Sequence, residues 1–188
     1  ENKYGLTGDA VITNSLVPVQ ASGLSGIIYA YAGKSFHSLF VKNDGSAWGF
    51  GRHQYGQLGG YTNPLQLSAV PVTGLSGVKA VCAGREHSLF LLNDSTVWGV
   101  GSNSSGEIGD STGLDKTIQA VKIPGLTGIV AISTSEIHSL FLKSDSTVWA
   151  CGYNGQGQLG DGTTVNRLAP VQVQGLSGIK AISAGAYY

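Results

Sequence analysis

The 188-residue sequence has little charge: 11 basic and 11 acidic residues give a net charge of zero and a pI near 7.1. A nucleic-acid-binding surface needs clustered Lys and Arg, so no nucleic-acid partner is expected. No apolar run approaches the ~18–20 residues of a membrane-spanning helix, so no membrane insertion is expected. Helical periodicity is also missing. The sequence lacks Met and begins at Glu1, which suggests a processed, excised or fragmentary chain.

Glycine is abundant, at 29 residues, and near-identical strings recur about every 50 residues. The string HSLF starts at three histidines, His37, His87 and His138. A tryptophan follows each of them, at Trp48, Trp98 and Trp149. Turn-forming GLSG or GLTG strings begin at residues 23, 74, 125 and 175, and GQLG or a near match begins at 56, 106 and 157. This period is typical of solenoids and propellers.

The third unit predicts four short strands, at 138–143, 148–151, 170–173 and 179–185. Four strands per ~50 residues is the size of one propeller blade, whereas the coils of a β-solenoid, the alternative, are usually shorter. We therefore expect an all-β fold, a β-propeller of four-stranded blades with about 3.7 units of ~51 residues. The expected single domain divides into units at approximately 1–36 (partial), 37–86, 87–137 and 138–188.

The two cysteines, Cys82 and Cys151, occupy different positions of the repeat. A disulfide or metal framework that defines the repeat is therefore excluded. Two buried free thiols are the favoured interpretation, and a single disulfide is the alternative.

Several linked motifs carry a resemblance to a known family. The second unit reads Gly84-Arg-Glu-His-Ser-Leu-Phe-Leu91, then Asp94 to Trp98, then a glycine-rich loop ending at Asp110. This pattern resembles the RCC1 (regulator of chromosome condensation) repeat over nearly the whole chain. The resemblance implies a seven-bladed propeller, and the uniform, glycine-rich repeats resemble bacterial or environmental members.

The resemblance implies binding rather than one activity. The family includes an exchange factor for the GTPase Ran, an ultraviolet photoreceptor, a β-lactamase inhibitor and ubiquitin ligases, which share binding of a protein through a face of the disc. The photoreceptor's tryptophans have no counterpart before the repeated histidines here, and no interaction segment of the exchange factor can be carried over. The favoured function is a non-enzymatic protein-binding or scaffold module; a role like that of the exchange factor or inhibitor ranks lower.

Candidate catalytic and metal-binding groups have structural explanations. The repeated histidines would be spread around a propeller axis, so hydrogen bonding is favoured over metal ligation. Carboxylates recur at two repeat positions, at Asp9, Asp110 and Asp161 and at Asp44, Asp94 and Asp145. Turn formation explains both sets better than calcium binding or glycosidic acid–base catalysis. No catalytic residue, cofactor or metal is therefore expected, and a lyase or glycosidase is the least favoured function.

Residues that break the repeat are the better candidates for function. His53 lies in the least repetitive loop, either as an exposed loop residue or as a partner contact. Tyr and Arg are enriched at binding hot spots. The predicted partner-binding residues are Arg52, His53, Tyr55, Tyr61, Arg85, Glu86, Leu114, Asp115, Lys116, Tyr153 and Arg167.

The number of units does not identify the partner. A seven-bladed ring at this period needs about 350 residues, and the sequence contains four units except for one His-to-Trp hairpin. The chain is expected to be a fragment, to complete a ring with other copies, or to continue into a filament through its strand edges. The expected partner is therefore another protein or copies of this chain, outside the cell or on its surface, with the cytoplasm as the alternative. The alternative function is a structural subunit of an extracellular assembly.

Overall fold

The computed structural model describes residues 2–33, 36–61 and 63–185, and in these ranges the fold is all-β. It consists of three four-stranded antiparallel sheets, and no helix long and apolar enough to cross a membrane occurs in the described ranges. The predicted all-β, blade-like architecture is confirmed.

Each sheet is a simple meander in chain order. The first contains β1 (Ile27–Ala32), β2 (His37–Lys42), β3 (Ala47–Arg52) and β4 (Leu65–Pro71). The second contains β5 (Val78–Ala83), β6 (His87–Leu92), β7 (Val97–Ser102) and β8 (Lys116–Lys122). The third contains β9 (Ile129–Thr134), β10 (His138–Lys143), β11 (Val148–Gly152) and β12 (Arg167–Gln172). The first strands of neighbouring sheets contact each other, as the innermost strands of propeller blades do.

The His-to-Trp hairpins form because a carboxylate closes each turn. In the second sheet, Asp94 Oδ1 accepts hydrogen bonds from the backbone N–H and the hydroxyl of Thr96, at 3.0 and 2.7 Å. This arrangement is an Asx turn, in which a short acidic side chain satisfies the turn backbone. Asp44 and Asp145 make the same pair of contacts in the other two sheets. The turn role predicted for these carboxylates is confirmed.

A glycine bulge lies near the end of the third strand of each sheet. Gly101 has φ of 111°, and a Cβ there would meet backbone atoms of Glu86 and His87. Only glycine fits this close approach, which shifts the register between β7 and β8. Gly51 and Gly152 repeat the geometry. The bulge turns the chain out of the sheet and into the glycine-rich loop.

Apolar side chains fill the two spaces between sheets. Leu39, Val41 and Leu58 of the first unit pack against Phe90 and Val100 of the second. The second sheet then packs on the third through a matching set that includes Leu89, Ile108 and Phe141. Trp98 and Trp149 are half-buried against these two cores. Each sheet therefore gains its stability mainly from its neighbour.

In the described structure both cysteines are buried thiols not joined by a disulfide, as the favoured interpretation predicted. Cys82 and Cys151 both belong to the core between the second and third sheets. Burial raises the pKa of the Cys151 thiol well above its ordinary value, so it stays protonated and unreactive.

The strand predicted at residues 179–185 is not observed, and this prediction is wrong. The segment lies against the third sheet, where Ile179 N–H donates to Ser146 O and Ala184 N–H donates to Ser133 Oγ. The equivalent strands β1, β5 and β9 each pair with a following HSLF strand. Among residues 2–33, 36–61 and 63–185, no further HSLF strand pairs with this segment.

Candidate protein-binding face

The positions that vary between units lie at the same end of the three sheets. Arg52 N–H donates to Phe36 O, and Ser102 N–H donates to Glu86 O. The third sheet repeats this bond from Tyr153 N–H to Ile137 O. We call this end, with its glycine-rich loops, the loop face. The loop face therefore combines a regular backbone with different side chains in each unit.

Arg52 is the centre of an aromatic cluster on the loop face. Its guanidinium carbon lies 5.4 Å from the ring centroid of Phe36, 5.7 Å from that of Tyr55 and 5.9 Å from that of Tyr4. Its Nη1 also donates to Glu86 Oε1 at 3.2 Å, across the boundary between the first two sheets. The Arg52 and Glu86 side chains remain 20% and 19% exposed. This cluster holds a partly exposed arginine rigidly, which favours binding.

A cavity of about 110 Å³ lies on the same face, between the second and third sheets. Its lining contains one cationic side chain and three acidic ones, Arg85, Glu86, Glu107 and Glu136. Arg85 is 49% exposed and lies 3.9 Å from Glu136, so this ion pair is long and weakly held. The cavity is smaller than the ~300–1,000 Å³ typical of small-molecule sites.

Glu107 forms the buried part of that cavity, since only 3% of its surface is exposed. Its Oε2 accepts a hydrogen bond from the backbone N–H of Ser105 at 2.8 Å. Burial raises the pKa of this carboxyl, although backbone N–H groups of its own loop oppose the increase. Gln57 and Gln158 occupy the equivalent positions and accept the same N–H bond with a neutral amide. Charge at residue 107 is therefore not needed to close the loop.

His53 is a loop brace and is 3% exposed, which corrects the interpretation as an exposed loop residue. Its Nδ1 accepts from Leu58 N–H at 3.0 Å, so Nε2 carries the ring proton and donates to Tyr61 O at 3.1 Å. Asn103 and Asn154 fill the equivalent position and accept the matching N–H. Burial lowers the pKa of His53 and keeps the ring neutral. A partner contact by His53 is untested.

The other predicted partner residues divide by location. Arg52, Tyr55, Arg85, Glu86 and Tyr153 share the loop face, whereas the remaining ones lie in the longer loops that lead to the fourth strands or at the first residue of those strands. These are Tyr61, Leu114, Asp115, Lys116 and Arg167.

Two of these loop residues already have internal partners. Tyr61 donates its hydroxyl to Pro71 O at 2.7 Å. Arg167 holds Asp161 through Nε at 2.6 Å. Burial opposes ionisation of Asp161, but hydrogen bonds from Thr163 and Arg167 outweigh it and lower its pKa to about 2. Arg167 is thus engaged in its own loop, while Leu114 and Lys116 are exposed.

The repeated histidines join neighbouring sheets. His37 Nε2 lies 2.9 Å from Ser88 Oγ, and that hydroxyl donates to Gln57 O at 2.7 Å. The serine has one proton, so the histidine must donate from Nε2. His87 and Ser139 repeat the arrangement at 3.1 Å. Burial lowers the pKa of both histidines to about 3.

Within the described ranges, no group of three His, Cys, Asp or Glu side chains is arranged to hold a metal ion. The carboxylate that follows each glycine-rich motif instead closes its loop, because Asp110 and Asp161 accept the N–H groups of Thr112 and Thr163. The turn role predicted for these two carboxylates is confirmed.

Several residues of the loop face escaped the sequence analysis. Tyr4 lies in the partial first unit. Phe36 directly precedes His37 and Glu136 lies two residues before His138, in positions without a repeat signature. Glu107 was missed because it lies in a near match to GQLG and so belongs to the repeat pattern. The useful signal was the replacement of Gln by Glu at a position where the other units are neutral.

Two family models, both described as the regulator of chromosome condensation (RCC1) repeat, match the sequence. The first matches residues 44–91 and 145–188, and the second matches 78–107 and 129–158. Together they span about two thirds of the chain.

Individual relatives and structures agree with these matches. The E3 ubiquitin-protein ligase HERC2 of Mus musculus is 30% identical over 190 residues, covering 96% of this chain and 4% of that protein. The structure of human WBSCR16 has 22% identity and a TM-score of 0.87, covering 98% of this chain and 50% of that one. Prp20p of Saccharomyces cerevisiae has 25% identity and a TM-score of 0.78, covering 90% and 44%.

The chain thus spans half or less of the length of these proteins. All three are eukaryotic, so the predicted bacterial or environmental type has no support from them. The matched ranges include strands of all three observed sheets. The chain therefore belongs to the RCC1 repeat family.

Proposed function

We propose that the chain is a non-enzymatic module that binds a protein partner through its loop face. The Arg52 cluster carries this proposal, because it presents an arginine, three aromatic rings and a carboxylate on a rigid frame. Aromatic and arginine side chains of this kind dominate protein interfaces. Prp20p, which has the same fold, is described with binding properties to Gsp1p and histones. We extend the proposal to a location outside the cell or on its surface.

The test compares partner capture by matched variants. The immobilised wild-type chain is used as bait in extracts and culture medium of the source organism. Arg52→Ala and Tyr55→Ala are expected to weaken retention of a captured protein by about 30-fold or more, the effect of a hot-spot residue. Lys116→Ala, at an exposed position at the start of β8 and away from the cluster, is expected to retain it.

Circular dichroism establishes that all variants fold. Capture that survives both cluster substitutions, or that is lost with Lys116→Ala, would contradict the proposal. Capture of no protein by the wild-type chain would contradict it too.

A second candidate function is assembly with further copies of the chain. Residues 11–19 expose large apolar side chains, among them Ile12, Leu16 and Val17. On the outer side of the third sheet, an apolar cavity of about 330 Å³ is lined by residues that include Leu140 and Leu176. Exposed apolar patches and unpaired strand-like segments favour association.

A further inference from the structure

We propose that the cavity between the second and third sheets receives the basic side chain, Lys or Arg, of a protein partner. This inference rests on the proposed protein-binding function and names the chemistry of one contact. The cavity opens at the exposed residues Arg85 and Ser104 and closes on the buried Glu107. Its volume of about 110 Å³ is well below the ~300–1,000 Å³ of typical small-molecule sites. That space suits the head of a side chain rather than a cofactor.

The charges of the site leave one carboxylate without a cation. Arg52 pairs with Glu86 at 3.2 Å, and Arg85 lies 3.9 Å from Glu136. No side chain of the described residues donates a hydrogen bond to Glu107, whose bonds come from backbone N–H groups. Buried carboxylates are costly unless they are paired. A single positive charge from outside would complete the site.

The other units show that the fold does not require a carboxyl group at this position. Gln57 and Gln158 close the same loop with an uncharged amide. Glutamate at residue 107 makes the same bond with an ionisable carboxyl group, so the loop alone does not account for it. Charge-assisted hydrogen bonds from an ammonium or guanidinium group to a buried carboxylate are among the stronger ones in proteins.

A residue that lines the cavity also carries an unpartnered acceptor. The His87 side chain is fully buried, and its Nδ1 has no hydrogen-bond partner among the described residues. Because Nε2 donates to Ser139, Nδ1 is unprotonated and can only accept. In the third unit, the hydroxyl of Ser135 reaches the same nitrogen of His138 at 2.7 Å, but the equivalent residue before His87 is Gly84. The lining residues therefore include a buried carboxyl group and an unpartnered acceptor, which together favour a donor-rich cation.

An inorganic metal ion fits the site less well. Within the described ranges, no three His, Cys, Asp or Glu groups converge closely enough to hold a metal. A cation on a flexible stem reaches one buried carboxylate without needing a full coordination shell. The shared chemistry is a monovalent cation, and the experiment separates the basic side chain from free ions.

The test titrates the 188-residue chain with n-butylammonium chloride, a mimic of the lysine side chain, while recording ¹⁵N amide shifts. Sodium chloride and tetramethylammonium chloride at equal ionic strength are the comparison salts. We expect saturable shifts at Ser105, Gly106 and Ile137 with n-butylammonium alone. Glu107→Gln is expected to weaken the apparent affinity by about tenfold or more, as when a hydrogen bond to a charged group is lost.

Glu107→Gln restores the residue used by the other units, so it is expected to fold with an undiminished unfolding midpoint. Asp145→Asn removes one exposed carboxylate and is the control for net charge; it is expected to bind like the wild-type chain. Equal shifts in Glu107→Gln, or no saturable shift in the wild-type chain, would overturn the proposal. Equal shifts with sodium would assign the site to free cations and overturn the basic side chain as its occupant. The probe needs no protein partner, so these outcomes are independent of the capture experiment.

Discussion

At the scale of single residues, the histidines show how one side chain serves the repeat. His37 and His87 are buried, neutral and hydrogen bonded to serines of the next sheet. Burial lowers the pKa of each to about 3, below the ~6.5 of an exposed histidine. The unfolded chain therefore binds more protons than the folded chain between these two values.

This difference predicts a loss of stability in mild acid. The contribution of each histidine is fully present above about pH 6.5 and is lost progressively as the pH falls towards 3. We expect the free energy of unfolding to fall by up to about 1.4 kcal/mol per pH unit for each histidine. Urea unfolding between pH 7.5 and 5 measures the slope in a range where exposed carboxylates stay ionised. His87→Gln is expected to reduce the slope, and a flat profile in wild type would contradict the account.

At the scale of elements, the hairpin turns differ at one position. Gly45 has φ of 76°, and Ser95 and Ser146 occupy the same position with φ of 64° and 66°. The left-handed conformation costs an L-residue about 1–2 kcal/mol, whereas glycine adopts it freely. The serines are therefore strained in a turn that the first unit builds without strain.

Ser95→Gly is expected to stabilise the chain by about 0.5–1 kcal/mol, since the entropy of glycine in the unfolded state offsets part of the relief. The reverse change, Gly45→Ser, is expected to destabilise it, because a Cβ there would lie 3.1 Å from Gly77 Cα. Chemical denaturation of both variants at pH 7.5 measures the effects. A loss of stability in Ser95→Gly would show that the serine contributes a contact that outweighs its strain.

The elements also show what a sequence can predict. The His-to-Trp hairpins were predictable because HSLF, the Asp turn and the Trp are all local signals. The strand predicted at 179–185 is wrong, because a strand forms only beside a neighbouring strand. Similarity of this segment to β5 and β9 carries no information about that neighbour. Arg52 and Tyr55 could be chosen because they break the repeat. Arg52 contacts both Tyr55 and Tyr4. The contact with Tyr4, which lies far earlier in the chain, could not be predicted because it depends on the packing of the first unit.

At the scale of the whole molecule, the three sheets are not equally covered by their neighbours. The second sheet packs against a neighbour on both of its faces, through the two cores. The third sheet has an open apolar cavity on its outer side, and residues 11–19 expose apolar side chains near the first. These outer surfaces are the places where further copies of the chain would attach.

Light scattering across a concentration series tests this assembly. If the outer surfaces associate, the mass is expected to increase above 19.4 kDa with concentration. Leu16→Ser and Val17→Ser are expected to lower that tendency, because they remove exposed apolar area without touching a core. The control is Lys116→Ala, which changes an exposed residue at the start of β8. A constant mass of 19.4 kDa in wild type would contradict the assembly function.

A hydrogen-bonded joint between the first two sheets is formed by His37, Ser88 and the carbonyl of Gln57. It bears on how such chains can change length. The same three repeat positions supply the next joint, through His87, Ser139 and the carbonyl of Glu107. Any unit therefore fits behind any other, since none needs a unit-specific partner for this joint. In-frame duplication or loss of one unit by recombination would preserve the remaining joints, so evolution can lengthen or shorten the protein in whole steps.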